Sequence, residues 1–171
     1  MKMKNFLFFV IGFTFLGAAA VGQNYPGPFT EGGMFPTINF KTADGKILTT
    51  DDLKGKIVFY AFDIHDCRSR IDGLNALYDM FSENDNVVFF AVIANSDDQL
   101  EQYQKQYGLK FPIVSFDYDT TKYLIIINCR NILVDADGKI VLMKSNVIRD
   151  KLAAKKMFLD TFVPAIRKQL K

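Results

Sequence analysis

The sequence predicts an α/β fold in which one mixed sheet lies between helices and is preceded by an amino-terminal β-hairpin. Two apolar runs, Ile57 to Phe62 and Val87 to Ala94, are too short for globular helices and rich in β-branched and aromatic residues, so both are predicted strands. Neither run alternates with polar residues, which is typical of parallel strands covered on both faces. Between them, apolar residues recur every three or four positions and predict an amphipathic helix. That helical face consists of Ile71, Leu74, Leu77, Tyr78 and Phe81.

Two Asp-Gly turns predict β-hairpins, because glycine accepts the positive φ that such turns need. The first turn, Ala43-Asp44-Gly45-Lys46, lies within residues 37–50, and Asp51 and Asp52 after it are expected to cap a short helical turn. The second turn, Ala136-Asp137-Gly138, joins two apolar pieces. A β-α-β crossover followed by this antiparallel pair and a closing helix indicates one mixed sheet.

Three further elements complete the predicted order. Ser96 is expected to cap a helix over residues 97–107. Residues 111–114 are predicted to form an edge strand, because Pro112 has no N–H to donate to a ladder. Residues 149–170 are predicted to be a helix that Pro164 bends or ends. Its buried stripe is expected to be Leu152, Met157, Phe158 and Phe162.

Residues 1–22 are predicted to be a secretory signal peptide, since Lys2 and Lys4 precede a short apolar core that ends in small residues. Cleavage is expected before Gln23. The alternative is a membrane anchor, but the apolar core is short for a span of about 20 residues. Residues 23–35 then form an irregular lead-in and residues 36–171 a single domain. We expect no membrane association after cleavage.

Charge excludes one class of partner. The formal net charge of +2 comes from Lys2 and Lys4 in the signal, so the mature chain is neutral. No basic run remains to attract phosphate backbones, which argues against nucleic acid as a partner. Both cysteines, Cys67 and Cys129, remain after cleavage, in a compartment where disulfides persist.

Cys67 is the candidate site, because it lies where the first long strand gives way to the helix. Unpaired N–H groups at a helix start favour the reactive thiolate. Arg68 and Arg70 favour the thiolate as well, whereas the negative charges of Asp63 and Asp66 oppose it. The competing interpretation, which sequence statistics favour, is that the two arginines are a solvated helix start.

His65 is the only histidine. With Cys67 and Cys129 it would offer imidazole and thiolate ligands for copper or zinc. A solvent-facing loop histidine is the favoured interpretation, so we predict neither a metal nor another cofactor.

Taken together, these motifs resemble the thioredoxin superfamily, specifically the exported TlpA-like or AhpC/TSA-type thiol-disulfide oxidoreductases. The resemblance covers nearly all of the mature chain. It is carried by ADGKILTTDDLKGKIVFYAF at the hairpin and first core strand, GLNALY in the following helix and ILVDADGKIV at the second hairpin. It implies a thioredoxin-like fold and thiol-disulfide exchange with protein thiols or disulfides, or with an envelope redox partner.

The active-site motif departs from that family. The family has a tryptophan followed by two cysteines with two residues between them, whereas DIHDCRSR holds one cysteine. Counted forward from Gly55, Cys67 matches the first family cysteine and Arg70 the second. Counted back from the following helix, Cys67 matches the second cysteine and Ile64 the first. Both alignments stay open.

The resemblance also assigns a position to Cys129. It matches the family's cis-proline, which faces the active-site cysteine, so Cys67 and Cys129 are expected to lie close together, with Arg130 beside them. A disulfide between them requires Cα atoms within about 7 Å. Two functions follow: thiol-disulfide exchange in the cell envelope, or a degenerate interaction module without turnover.

Overall fold

The computed structural model describes residues 29–62, 68–94, 99–116, 130–145 and 148–171. Within these ranges the chain forms seven strands and three α-helices. The strands are β1 (Asn39–Lys41), β2 (Ile47–Thr49), β3 (Ile57–Phe62), β4 (Val87–Ala94), β5 (Ile113–Phe116), β6 (Arg130–Val134) and β7 (Ile140–Ser145). The helices are α1 (Ile71–Asp79), α2 (Leu100–Tyr107) and α3 (Lys151–Gln169), and 3-10 turns occupy Thr50–Leu53 and Arg68–Arg70.

The strands form one mixed sheet in the order β2-β1-β5-β4-β3-β6-β7. Strands β3, β4 and β5 are parallel, with Ile57 opposite Val87 at the start of the first pair. Strand β6 runs antiparallel to β3 and pairs Asn131 with Ala61. The predicted mixed α/β sheet is confirmed, and so are both hairpins.

Strand β3 is buried along its whole length, and aromatic side chains pack on both faces of the sheet around it. On the face covered by α1 and α3, Phe59 meets Phe162 edge-on, with ring centroids 5.0 Å apart. On the opposite face, Tyr60 stacks on Phe35 at 4.5 Å. Burial raises the pKa of the Tyr60 phenol well above its ordinary value.

Helices α1 and α3 approach closely at Gly73. A Cβ atom at this position would lie 2.6 Å from Cδ2 of Phe158 and 3.0 Å from Cα of Lys155. Only glycine fits this contact without displacing α3, so the glycine of the GLNALY motif fixes the distance between the two helices.

The prediction of an edge strand at residues 111–114 is wrong. Strand β5 lies inside the sheet, between β1 and β4. Pro112 precedes the strand rather than lying within it, and its carbonyl accepts a hydrogen bond from the Ala91 N–H at 3.0 Å. A proline at this position uses only its acceptor, so the missing N–H costs no ladder bond.

The predicted start of α2 is also wrong. The helix begins at Leu100 with Gln99 as its N-cap, and Ser96 lies outside the described residues. The Gln99 side chain makes no capping hydrogen bond, so this helix start lacks the capping residue that the sequence rule looks for.

Helix α3 confirms part of its predicted buried stripe. Phe158 and Phe162 are buried, but Leu152 is 78% exposed. The stripe runs at intervals of four through Ala154, and Leu152 lies about 200° from Ala154 around a helix of 3.6 residues per turn. Met157 is partly buried, and Pro164 lies inside the helix without ending it.

The described part of the lead-in packs against β7. The Gly32 N–H donates to the Ile140 carbonyl at 2.7 Å, and the Met143 N–H donates to the Glu31 carboxylate at 2.7 Å. Phe29 and Phe35 are buried in the core. These residues protect the outer edge of the sheet from pairing with another chain.

Among the residues that the structure describes, no helix has the length and apolar character needed to cross a bilayer. Residues 1–28, which include the predicted signal peptide, are outside this description.

Candidate functional site

The candidate site lies at the carboxyl end of β3, where the chain leaves the sheet to enter α1. His65, Asp66 and Cys67 belong to residues 63–67, which the structure does not describe, and Cys129 lies outside the described residues as well. The described residues that adjoin these positions are Phe62, Arg68, Ser69, Arg70, Arg130 and Asn131.

Arg70 is the N-cap residue of α1 and is fully buried. Its Nη2 donates a hydrogen bond to the carbonyl of Phe62, the last residue of β3, at 3.2 Å. The interpretation of both arginines as a solvated helix start is therefore wrong for Arg70. A buried guanidinium stays protonated, so the junction carries a fixed positive charge.

The other two residues of the 3-10 turn, Arg68 and Ser69, contact α2 and the segment just before α3. Arg68 is exposed, and its guanidinium carbon lies 5.6 Å from the centroid of the Tyr107 ring, a cation–π contact with the end of α2. The Ser69 hydroxyl donates to the Ile148 carbonyl, just before α3. These contacts fix the turn that directly follows Cys67 in the sequence.

Arg130 points away from this turn. Its Nε donates to the Ser145 hydroxyl at 3.2 Å, and its Nη1 lies 3.7 Å from the Met143 sulfur, both on β7. Burial lowers the pKa of the Arg130 guanidinium from its ordinary value. Side chains alternate along a strand, so Arg130 lies on the Ile132 face of the sheet, opposite to its neighbour Asn131.

Asn131 is a polar residue of the site that the sequence did not identify. It is fully buried, and among the residues that the structure describes neither its Oδ1 nor its Nδ2 has a hydrogen-bond partner. The sequence placed this strand from Ile132 onward, whereas β6 begins at Arg130. An asparagine two residues before buried Leu133 was the available signal, since both share one face of the strand.

Strand pairing brings the described neighbours of the two cysteines to the same end of β3. Asn131 pairs with Ala61, and Arg70 is bonded to the next residue of β3, Phe62. Cys67 is three residues before Arg70 in the sequence, and Cys129 is two residues before Asn131. The closeness of the two thiols remains a prediction, which the positions of Arg70 and Asn131 against the end of β3 support.

The described ranges contain no cluster of potential metal ligands. No group of three His, Cys, Asp or Glu side chains with metal-binding geometry occurs there, and the set considered above, His65, Cys67 and Cys129, lies outside them.

A surface groove of about 730 Å³ lies away from the junction, between the β1–β2 turn and α2. Phe90, Leu109 and Val114 are among its lining residues, beside Asp44 and Lys105. Neither Arg70 nor Asn131 borders it. The groove is therefore separate from the candidate site.

The family model described as the AhpC/TSA family matches residues 32–143, which span β1 to most of β7 and include the junction. The chain belongs to the AhpC/TSA family. This confirms the predicted membership of the thioredoxin superfamily in its TlpA-like branch.

Relatives of this AhpC/TSA chain carry names from thiol-disulfide chemistry. The thiol-disulfide oxidoreductase ResA of Bacillus thuringiensis subsp. konkukian is 29% identical over 152 residues, covering 82% of this chain and 88% of that protein. The thiol-disulfide oxidoreductase ResA of Bacillus anthracis is also 29% identical, over 157 residues, with the same coverage.

Solved structures agree on the fold. The thioredoxin domain of a thiol-disulfide oxidoreductase from Bacteroides vulgatus aligns with a TM-score of 0.62 at 22% identity, covering 79% of this chain and 99% of that chain. A thiol:disulfide interchange protein from Bacteroides sp. aligns with a TM-score of 0.60 at 21% identity, covering 76% and 89%. The fold of this AhpC/TSA member is thioredoxin-like.

Proposed function

We propose that this is an exported protein of the cell envelope that carries out thiol-disulfide exchange, with Cys67 as the attacking sulfur. The observation that carries the proposal is the fully buried, cationic Arg70, hydrogen-bonded to the end of β3 three residues after Cys67. A cation at that distance in sequence, together with the helical turn that begins at Arg68, favours a thiolate.

The reaction begins when the Cys67 thiolate attacks a disulfide of a partner protein. A bond forms between the Cys67 sulfur and one partner sulfur, the partner's own disulfide breaks, and its second sulfur leaves as a thiolate that takes a proton from water. In the second step another thiolate attacks the Cys67 sulfur and releases the first partner sulfur. Cys129 is the candidate within the chain, and it would leave a Cys67–Cys129 disulfide and a partner reduced by two electrons.

Re-reduction of that disulfide requires a dithiol protein of the envelope, which is the redox partner that the proposal implies. If Cys129 does not reach Cys67, an external thiol resolves the mixed disulfide instead. Turnover is slow in either case, because no cysteine adjoins Cys67 at the spacing that the family uses.

Insulin reduction by the mature protein tests the proposal. We expect turnover that depends on Cys67, at a rate at least tenfold below that of a relative with two active-site cysteines. The Cys67→Ser variant should lose this turnover. Wild-type activity that survives Cys67→Ser would contradict the assignment of the attacking sulfur.

Two restored-motif variants decide which family cysteine Cys67 corresponds to. Arg70→Cys recreates the two-residue spacing with Cys67 first, and Ile64→Cys recreates it with Cys67 second. We expect Arg70→Cys to raise insulin-reduction turnover even though it removes the Arg70 cation, because the missing second cysteine limits turnover more than the attack by Cys67 does. Cys67 directly precedes the helical turn at Arg68, as an attacking cysteine at a helix start does. A gain from Ile64→Cys alone would instead support the opposite alignment.

The second candidate is an interaction module without turnover. Arg70 favours it in one respect: in the alignment from Gly55, a buried arginine occupies the position of the second cysteine. Binding of an envelope protein that is unchanged by Cys67→Ser, together with no insulin reduction by the wild type, would support this module.

A further inference from the structure

A small cavity lies beside the first half of β3, away from the candidate site. Its volume is about 240 Å³, and neither Arg70 nor Asn131 borders it. Four parts of the chain form its wall: the lead-in, the 3-10 turn after β2, the start of β3 and the β6–β7 turn. It shares no lining residue with the groove beside α2. Every residue of this wall belongs to the described ranges, so its side chains indicate what the cavity can bind.

The inner wall of the cavity is aromatic and carries a buried hydroxyl. Tyr60 is 1% exposed and stacks on Phe35, with the ring centroids 4.5 Å apart and the ring planes 4° from parallel. Its other contacts are with the rings of Phe40, Phe62 and Phe90. Within the described ranges its hydroxyl has no hydrogen-bond partner, and burial alone raises the pKa of the phenol. Buried tyrosine hydroxyls usually have a partner, so this wall offers a protonated donor to a ligand.

The outer part of the cavity carries an excess of negative charge. Its charged lining residues are three carboxylates, Asp51, Asp135 and Asp137, and two ammonium groups, Lys54 and Lys56. Lys54 pairs with Asp51 at 3.0 Å, and the Lys56 Nζ donates to a backbone carbonyl outside the cavity at 2.9 Å. The Asp135 carboxylate accepts the Asp137 N–H at 3.1 Å, and Asp137 is exposed. The β6–β7 turn is therefore the negative side of the cavity mouth.

We propose that this cavity binds a small aromatic cation, with a hydrogen-bond acceptor at one end of a single ring and an ammonium group at the other. The ring packs against Phe35 and Tyr60, the acceptor takes a hydrogen bond from the Tyr60 hydroxyl, and the ammonium group lies beside Asp137. Sites for drug-sized ligands measure about 300–1,000 Å³, so this smaller cavity suits one ring with a short chain. No residue assigned to thiol-disulfide exchange takes part, so the inference goes beyond the proposed function.

Three probes of similar size test the proposed ligand chemistry. Tyramine has both the acceptor and the ammonium group, phenethylamine lacks the acceptor, and 4-hydroxyphenylacetate carries a negative charge in place of the positive one. Each is titrated into the ¹⁵N-labelled mature protein, and the amide shifts are followed by NMR. We expect saturable shifts at residues 34–37, 50–54 and 135–138, which border the cavity. Tyramine should bind at least about fivefold more tightly than either of the other two probes.

Tyr60→Phe removes only the buried hydroxyl. Tyramine binding should weaken about fivefold, because the ligand loses its buried hydrogen-bond donor. Phenethylamine binding should stay unchanged, since that probe has no acceptor for the hydroxyl. Tyr78→Phe is the matched control, because Tyr78 lies on α1 and does not line the cavity.

Asp137→Asn tests the charge at the mouth, and it also covers failure of Tyr60→Phe to fold. Asn-Gly favours the same hairpin turn as Asp-Gly, so the turn is retained. Both amines should bind about threefold more weakly, whereas 4-hydroxyphenylacetate should not. Asp44→Asn makes the same change in the other Asp-Gly turn, which does not border this cavity, and should leave all three affinities unchanged.

Three results would overturn the inference. The first is the absence of a saturable shift with tyramine among the amides that border the cavity. The second is equal affinity for tyramine and 4-hydroxyphenylacetate. The third is a loss of tyramine affinity in Tyr78→Phe and Asp44→Asn equal to the loss in Tyr60→Phe and Asp137→Asn.

Discussion

The two ends of strand β3 are built differently. At its amino end backbone N–H groups are paired with backbone carbonyls: the Gly55 N–H donates to the Ala136 carbonyl at 3.0 Å, and the Ile57 N–H donates to the Asn86 carbonyl at 2.8 Å. At its carboxyl end two polar side chains, Arg70 and Asn131, are fully buried, and the Asn131 amide has no hydrogen-bond partner within the described ranges. The two ends therefore differ in polarity: backbone pairs close the amino end, whereas buried polar side chains surround the carboxyl end.

We expect substitutions in the middle of β3, between these two ends, to lower the free energy of unfolding the most. Phe59 is fully buried between the Phe89 and Phe162 rings, with centroids 5.4 and 5.0 Å away. Phe59→Ala should lower the free energy of unfolding by about 3–5 kcal/mol in urea denaturation. Leu152→Ala, on an exposed side chain, should change it by less than about 0.5 kcal/mol. Similar losses in the two variants would show that the described core does not hold the fold together.

Two glycine substitutions distinguish steric crowding from backbone strain. Gly73 lies at the contact between α1 and α3, and Gly55 lies just before the amino end of β3. Gly73→Ala places a methyl group against Phe158 and Lys155, so we expect a loss of about 1–3 kcal/mol. Gly55→Ala adds the same methyl group in open space, where only the positive φ of 83° is strained, and should cost about 1 kcal/mol. Urea denaturation of both variants checks this order. A larger loss at Gly55 would contradict the close approach of α1 and α3.

Arg70→Met tests whether the charge at the carboxyl end serves reactivity. Loss of the cation should lower the alkylation rate of Cys67 near neutral pH about tenfold, since a nearby opposite charge shifts a pKa by about one unit or more. The Phe62 carbonyl loses a donor, so stability should fall by only about 1 kcal/mol. Exposed Arg68→Met is the control and should change the rate much less. Equal effects of the two variants would refute a special role for the buried guanidinium.

The smallest effect is expected at the first hairpin, far from the site. The Asp44 carboxylate accepts hydrogen bonds from Lys46 and Thr42, which lower its pKa from 3.8 to about 2. Because the folded pKa lies below the unfolded value, this carboxylate contributes stability above about pH 4, and the contribution is lost as the pH falls toward 2. NMR titration of the carboxyl carbon checks the value. A titration midpoint near pH 4 for the Asp44 carboxyl would contradict these hydrogen bonds.

The sequence predicted the elements whose determinants are local. Strand β3 and both Asp-Gly hairpins follow from short patterns, and the helical turn after β2 follows from its acidic residues, although Thr49 is the N-cap and Asp52 completes the capping box. The predicted signal peptide, the 23–35 and 36–171 division and the cysteine pairing remain predictions.

Positions determined by tertiary contacts were not predictable in the same way. The interior place of β5 depends on which strands pair with it, and the burial of Arg70 depends on the β3 carbonyl that it meets. Nothing in the local pattern distinguishes Arg70 from exposed Arg68. Asn131 was missed because its strand begins in a polar stretch, where hydrophobic periodicity has no signal.

Trapping the mixed disulfide is the most direct test of exchange through Cys67. The reduced mature protein is incubated with insulin, quenched with acid and analysed by intact mass and peptide mapping. We predict a covalent insulin-chain adduct on Cys67 in the wild type and in Cys129→Ser, and no adduct in Cys67→Ser. No adduct in any of the three proteins, or an adduct lost in Cys129→Ser but retained in Cys67→Ser, would contradict the account.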